Sequence, residues 1–198
     1  MIIQEFRFAS TDDKYDIDKY TDKYAWSRPY EYKFVSDYLD NVLPKNSKIH
    51  NSSWGFAPLH QQFRNELDKN YNCLHSDIRT TDGFETYIYD VRKRDDNLVE
   101  FFDAVINVST LEEVHGHNKD EIVFKSLENL YEQVKSGGYL ICTFDYPTVN
   151  LEAFEENLRQ YTQATCQRVE NALNGNNSVV KNSHCANLNI IFLIIKKD

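Results

Sequence analysis

The segment Glu112-Glu113-Val114-His115-Gly116-His117 is the one place in this 198-residue chain where carboxylates and imidazoles crowd together. A histidine or carboxylate at a pocket mouth can take a proton from a substrate or orient it. Glu113 and His115 are the candidates for that role. The same stretch also reads as a polar surface loop capping the helix that follows. A metal set would need His115 and His117 with Glu113 or Asp145, but the spacing fits no established ligand pattern. No metal site is assigned. The sequence contains no G-x-S-x-G elbow, no Walker A sequence and no G-x-G-x-x-G.

A second constellation is spread along the chain. Ser53-Trp54-Gly55-Phe56-Ala57-Pro58 leads from a strand-like segment into a helix. That helix start offers free N–H groups and partial positive charge, and Gly55 lets backbone pass close to a ligand. Trp54 reads equally as core or as pocket wall. Asp77 lies 22 residues beyond Gly55, where a carboxylate can accept hydrogen bonds from both hydroxyls of a ribose. Asp90 closes the next strand and can accept from an exocyclic amine such as adenine N6. Asn107, Ser109 and Thr110 close a fourth. Small or polar groups at four strand ends thus face one mouth, where open α/β sheets bind their ligands.

The elements that must hold these residues follow from periodicity. Pro29 suits a first helical turn. Tyr32, Val35, Leu39 and Val42 recur at helical spacing, so a helix is expected over Arg28–Leu43, stopped by Pro44. Leu59, Phe63 and Leu67 mark a second, from Pro58 to about Asn70. Lys119–Ser136 is the clearest helix, with Gly137-Gly138 expected to end it. Leu151–Tyr161 is amphipathic. Strands are expected at Ile2–Phe8, Ser47–Ser52, Tyr71–Asp77, Glu85–Val91, Phe101–Val108, Tyr139–Phe144, Ala164–Ala172 and Leu188–Lys197, with a loop at Asn174–Asn177. Alternating strands and helices point to an α/β protein with a parallel sheet covered on both faces. The last two strands lack a helix between them and are expected to pair as an antiparallel hairpin at one edge.

These residues resemble the class I S-adenosylmethionine (SAM) dependent methyltransferases. KIHNSSWGFAPL (Lys48–Leu59) is similar to the family's first motif, a strand followed by an acidic residue and G-x-G-x-G. FDAVINVSTLEEV (Phe102–Val114) resembles its fourth-strand motif, FDvVisistLeHv. LENLYEQVKSGGYLICTFDYP (Leu127–Pro147) is similar to the helix, Gly-Gly turn and fifth strand that follow. WSRPYEY (Trp26–Tyr32) resembles an N-terminal cap, RxWEYpW. Asn51 and Ser53 stand where the family has glycine, and Ile49 where an acid is common. The connection after Asp77 is too short for the usual helix.

The resemblance implies one domain over residues 1–198, with 1–44 as N-terminal arm and cap helix and 45–198 as a Rossmann-like core. Its sheet would be doubly wound, mostly parallel and seven-stranded, with the antiparallel edge hairpin. It implies SAM as cofactor. Asn51, Ser53 and Gly55 would shape the loop around the methionine portion, beside Trp54. Asp77 would take the ribose and Asp90 the adenine, with Val91 against the ring. Asn107 and Ser109 would present backbone groups near the methionine amine, and Tyr30 and Glu31 would close the site. The implied activity is methylation of a small-molecule or sugar-like acceptor, at oxygen, with Glu113 or His115 as base. The alternative is a non-catalytic domain of this fold that binds a nucleotide ligand or a protein partner. A third reading is an enzyme acting on another nucleoside-containing substrate.

Composition bounds the partners. The formal charge is −9, from 22 basic and 31 acidic residues, and such a surface repels phosphate backbones. Arg92, Lys93 and Arg94 are followed at once by Asp95 and Asp96, and Asn107-Val108-Ser109-Thr110 is not the (D/N)-P-P-(Y/F) sequence of base methylation. A nucleic-acid partner is therefore not expected. Cys73, Cys142, Cys166 and Cys185 form no CxxC pair and read as free thiols in a reducing compartment. With no membrane-length apolar run and no secretory signal, a cytoplasmic setting is expected. The oligomeric state is not legible.

Overall fold

A computed structural model describes residues 1–10, 13, 27–55, 58–114, 116, 118–167 and 189–198. The elements are β1 (Ile2–Phe8), α1 (Arg28–Val42), β2 (Lys48–Ser52), α2 (Pro58–Asn70), β3 (Asn72–Asp77), β4 (Tyr87–Ile88), β5 (Phe102–Val108), α3 (Lys119–Glu132), β6 (Val134–Tyr146), α4 (Leu151–Leu158) and β7 (Asn189–Lys196). A 3₁₀ turn, Leu111–Glu113, follows β5. Trp26, His115, His117, Cys185, most of the tyrosine-rich arm, the expected strand beyond Gln167 and the Asn174–Asn177 loop lie outside the described residues.

Seven strands form one sheet in the order β1-β7-β6-β5-β2-β3-β4. The pairs β6–β5, β5–β2, β2–β3 and β3–β4 are parallel. β7 alone runs backwards, antiparallel to β6 on one side and to β1 on the other. The chain winds outward from β2 through β3 to β4, then crosses to β5 and winds the other way. Order therefore reverses between β2 and β5, and a crevice opens at their carboxyl ends.

Helices cover both faces, and the alternation of strand side chains assigns them. Ala104, Ile106, Ile141 and Ile194 pack with Val35 and Leu39 of α1 and Phe63 and Leu67 of α2. Val105, Leu140, Leu193 and Ile195 face the other way, onto Leu127 and Leu130 of α3 and Phe154 and Leu158 of α4. α1 ends where Leu43 turns extended, the conformation a residue before proline prefers.

The strand expected at Ile2–Phe8 forms as β1, an edge strand of the sheet. Two expectations are corrected. The antiparallel edge is built by β7 with β1, while Gln167 reaches the sheet through a single bridge to Arg7. Gly137-Gly138 does not end α3. The helix stops at Glu132, and the glycines form a bulge inside β6, where the register jumps from Phe102↔Val134 to Ala104↔Tyr139. A Cβ on Gly138 would lie 2.6 Å from the Asp103 carbonyl, and Gly137 has φ +80°, so both positions favour glycine. Val134 fits a helical stripe and a strand equally well; its fully buried place beside Phe102 decided between them.

The candidate active site at the sheet switch point

A cavity of about 430 Å³ opens at the carboxyl ends of the central strands, within the roughly 300–1,000 Å³ typical of small-molecule sites. Asn51 lines it from β2; Ser53, Trp54 and Gly55 line it from the β2–α2 loop, and Asp77 from the end of β3. Asp90 and Val91 follow β4, Ser109 follows β5, and Glu113 stands beside Val114. The fold thus brings most of the sequence-assigned residues to one wall.

The loop geometry replaces the missing glycines in part. Ser53 sits at φ 57° and Gly55 at φ 79°. Ser109, just after the neighbouring strand β5, is also left-handed at φ 40°. A non-glycine residue there costs roughly 1–2 kcal/mol, and such strain concentrates where a backbone must be aimed at something. Gly55 is required twice over, since a Cβ at this position would fall 2.0 Å from Nδ1 of His60. Gly55→Ala is therefore expected to destabilise the fold by about 2 kcal/mol or more, read as a lowered urea midpoint. An unchanged midpoint would mean that the loop relaxes freely.

The acidic residues are held by short-range bonds. Asp77 accepts from the Gly55 backbone N–H at 3.3 Å and from that of Arg79 at 3.1 Å. Asp90 is gripped by the Arg92 guanidinium, Nε at 2.8 Å and a terminal nitrogen at 2.7 Å. That bond holds its carboxyl below the usual range. An adenine amine at Asp90 would share a carboxylate already engaged by Arg92. Trp54 is both core and wall: it is buried, and its indole N–H donates to Thr86 Oγ1 at 3.2 Å.

Three assigned residues do not line the cavity. Tyr30 is buried against Ala9, Ile190 and Phe192, because the helical stripe of α1 turns it into the sheet. Asn107 is fully buried, donating to the Ser52 carbonyl at 3.4 Å. Glu31 lies beneath the floor with no exposure. It accepts from Ser27 Oγ at 2.7 Å, from Ser109 Oγ and Thr143 Oγ1, and pairs with Arg28. Glu31 is thus a clamp, fastening the start of α1 to the ends of β5 and β6, and not a lid. His115 lies outside the described residues. Glu113 is exposed at the mouth.

Sequence reasoning missed Arg28, Tyr32, His60, Phe63 and Arg92 as wall residues. Tyr32 and Phe63 belong to helical stripes, which read as core, and they do stack on each other at 4.0 Å. His60 stands edge-on to Tyr32 at 6.4 Å. Burial, then Arg28, lowers its pKa to about 4, so its ring is neutral at physiological pH and holds a proton only weakly. No sequence pattern marks a lone histidine in a first helical turn; only the approach of α1 to α2 does.

No family model matches the sequence, and no curated protein matches it. Solved structures match the fold. The 1,6-didemethyltoxoflavin-N1-methyltransferase of Burkholderia thailandensis, solved with 1,6-didemethyltoxoflavin and S-adenosylhomocysteine, gives a TM-score of 0.58 at 13% identity, covering 96% of this chain and 95% of that one. The CurJ carbon methyltransferase gives 0.57 at 12% identity over 88% of this chain, which spans only 55% of the CurJ chain. The [4+2]-cyclase SpnF gives 0.54 at 10% identity, covering 89% and 85%. Those three names describe three different reactions, so the likeness speaks to architecture. The chain has the fold of the class I SAM-dependent methyltransferases.

Proposed function

We propose that this protein binds SAM in the switch-point cavity and methylates a small-molecule or sugar-like acceptor at oxygen. The observation that carries the reading is the shared wall. Ser53 and Gly55, both left-handed, line one cavity of about 430 Å³ together with the acidic strand end Asp77, which accepts from the Gly55 N–H. The substituted loop leaves that space clear, since the Asn51 amide is turned toward His75, 3.1 Å away.

The bound cofactor would supply a methyl group on a sulfonium, a good leaving group. The protein's part is positioning and exclusion of water. Asp77 accepts from the ribose hydroxyls, Asp90 shares its carboxylate between Arg92 and the adenine amine, and Val91 packs against the ring. Asn51, Ser53 and Gly55 shape the methionine end, beside Trp54 and the backbone of Ser109. Glu113, at the mouth, takes the proton from the acceptor hydroxyl as the new bond forms. The net charge of −9 argues against a nucleic-acid acceptor. The free thiols Cys73, Cys142 and Cys166 argue for a reducing, cytosolic setting. Among the described residues no helix is long and apolar enough to cross a membrane.

Isothermal titration tests this reading. SAM and its demethylated product should both bind, and Asp77→Ala should weaken both by about 10- to 100-fold, the worth of hydrogen bonds to a charged acceptor. A folded sample that binds neither would overturn it, and would favour the non-catalytic domain that binds a nucleotide or a protein partner.

A further inference from the structure

Behind the cavity wall lies a donor set that the proposed reaction does not use. Cys73 and His75 are alternate residues of β3, so they project on the same side of the strand. Asp68, in the last turns of α2, reaches over to them. His75 Nε2 is 2.8 Å from Asp68 Oδ1, and one donor atom from each of the three residues lies within 4.8 Å of the others.

We propose that Asp68, Cys73 and His75 bind a zinc-class divalent cation, with the fourth position left to water. Sulfur, imidazole and carboxylate donors together suit zinc better than magnesium or calcium. Bonds of roughly 2.0–2.3 Å put tetrahedral donors roughly 3.3–3.8 Å apart. The set therefore needs an adjustment of about an ångström, which the Asp68 side chain, 44% exposed, can supply. Cys73 and His75 are held in position by the sheet.

The second ring nitrogen of His75 also has a partner. The Asn51 amide lies 3.1 Å from Nδ1. A metal-ligating histidine needs a hydrogen-bond acceptor there to fix its tautomer, and turning the amide over presents its oxygen. Arg64 opposes the cation, with Nε 3.9 Å from Asp68 Oδ2. Two anionic donors offset that charge. On binding, the Cys73 S–H bond breaks, a sulfur–metal bond forms and one proton leaves to solvent. The His75 proton moves from Nε2 to Nδ1.

The site can be tested without any cofactor, so its fate is independent of the methyltransferase reading. The reduced, untagged, chelator-treated full chain is titrated with Co²⁺. The expected result is a thiolate-to-cobalt charge-transfer band with tetrahedral d–d bands, saturating at one equivalent and erased by Zn²⁺. Cys73→Ser should abolish the charge-transfer band, while Cys142→Ser, at a buried position in β6, should keep it. Asp68→Asn, at a side chain 44% exposed and in a variant shown to fold by its urea midpoint, should weaken binding by about tenfold or more. No band at one equivalent, a band that survives Cys73→Ser, or unchanged affinity in Asp68→Asn would each overturn the proposal.

Discussion

Replacing Arg28 with alanine is expected to destabilise the protein by about 3–5 kcal/mol at neutral pH, the usual cost of leaving one member of a buried ion pair alone. Glu31 has no solvent exposure. Burial would push its carboxyl up, yet Arg28 and the hydroxyls of Ser109, Thr143 and Ser27 outweigh that and hold it below the usual range. Without the guanidinium, those hydroxyls face a carboxylate with no counter-charge. The loss should shrink as the pH falls and Glu31 takes up a proton. Urea unfolding of the variant and parent at pH 7.5 and pH 4 measures both effects. A loss under about 1 kcal/mol at pH 7.5 would show that the clamp does not depend on the pair. Because Glu31 joins α1 to the ends of β5 and β6, the variant should also loosen the cavity floor at Ser109.

Glu112→Gln is expected to do the opposite. Glu112 is fully buried; Oε1 accepts the Asp145 backbone N–H at 2.7 Å, and Oε2 finds no partner among the described residues. Burial, then the neighbouring Asp145, raises its pKa well above the ordinary value, so the native state holds its proton to higher pH than the unfolded chain does. The unfolded chain releases that proton above about pH 4.5. Ionisation therefore favours unfolding, and native stability falls as the pH climbs from 4.5 toward the native pKa. Glutamine keeps the neutral shape and removes this linkage. The gain should be present at pH 7, at about 1.4 kcal/mol for each pH unit over which the unfolded chain is ionised and the native state is not, and should be largely gone at pH 4.5. Paired urea titrations at the two pH values give the difference directly; equal stability of variant and parent at pH 7 would refute it. Asp145 follows the same sign over a narrower window, with burial and Glu31 pushing it up to about 6.

Glu31 and Glu112 are both residues that the sequence offered in other roles. Glu31 reads as part of a lid because WSRPYEY stands before the first core strand. Glu112 reads as one of a pair of surface acids beside His115. The helical phase that buries Val35 and Leu39 also determines that Glu31 points inward, but phase alone does not say that Arg28 and three hydroxyls await it. Similarly, Glu112 and Glu113 are adjacent in one 3₁₀ turn. One is sealed under the strand ends and the other is exposed at the mouth, a split that depends on how that turn docks on β6.

Local patterns determined where most helices and strands run, though not that Val134 would open β6, and that strand ends would gather Asp77, Asp90 and Ser109 at one mouth, because periodicity and turn chemistry act between near neighbours. Tertiary structure decided what depends on meetings between distant segments. It set the β1 edge against β7 and the glycine bulge beside Asp103. It also brought His60 up to Gly55, and joined Asp68 to β3. In each case a side chain's role comes from a neighbour that chain order does not reveal, since burial and hydrogen bonding are fixed only when the sheet closes.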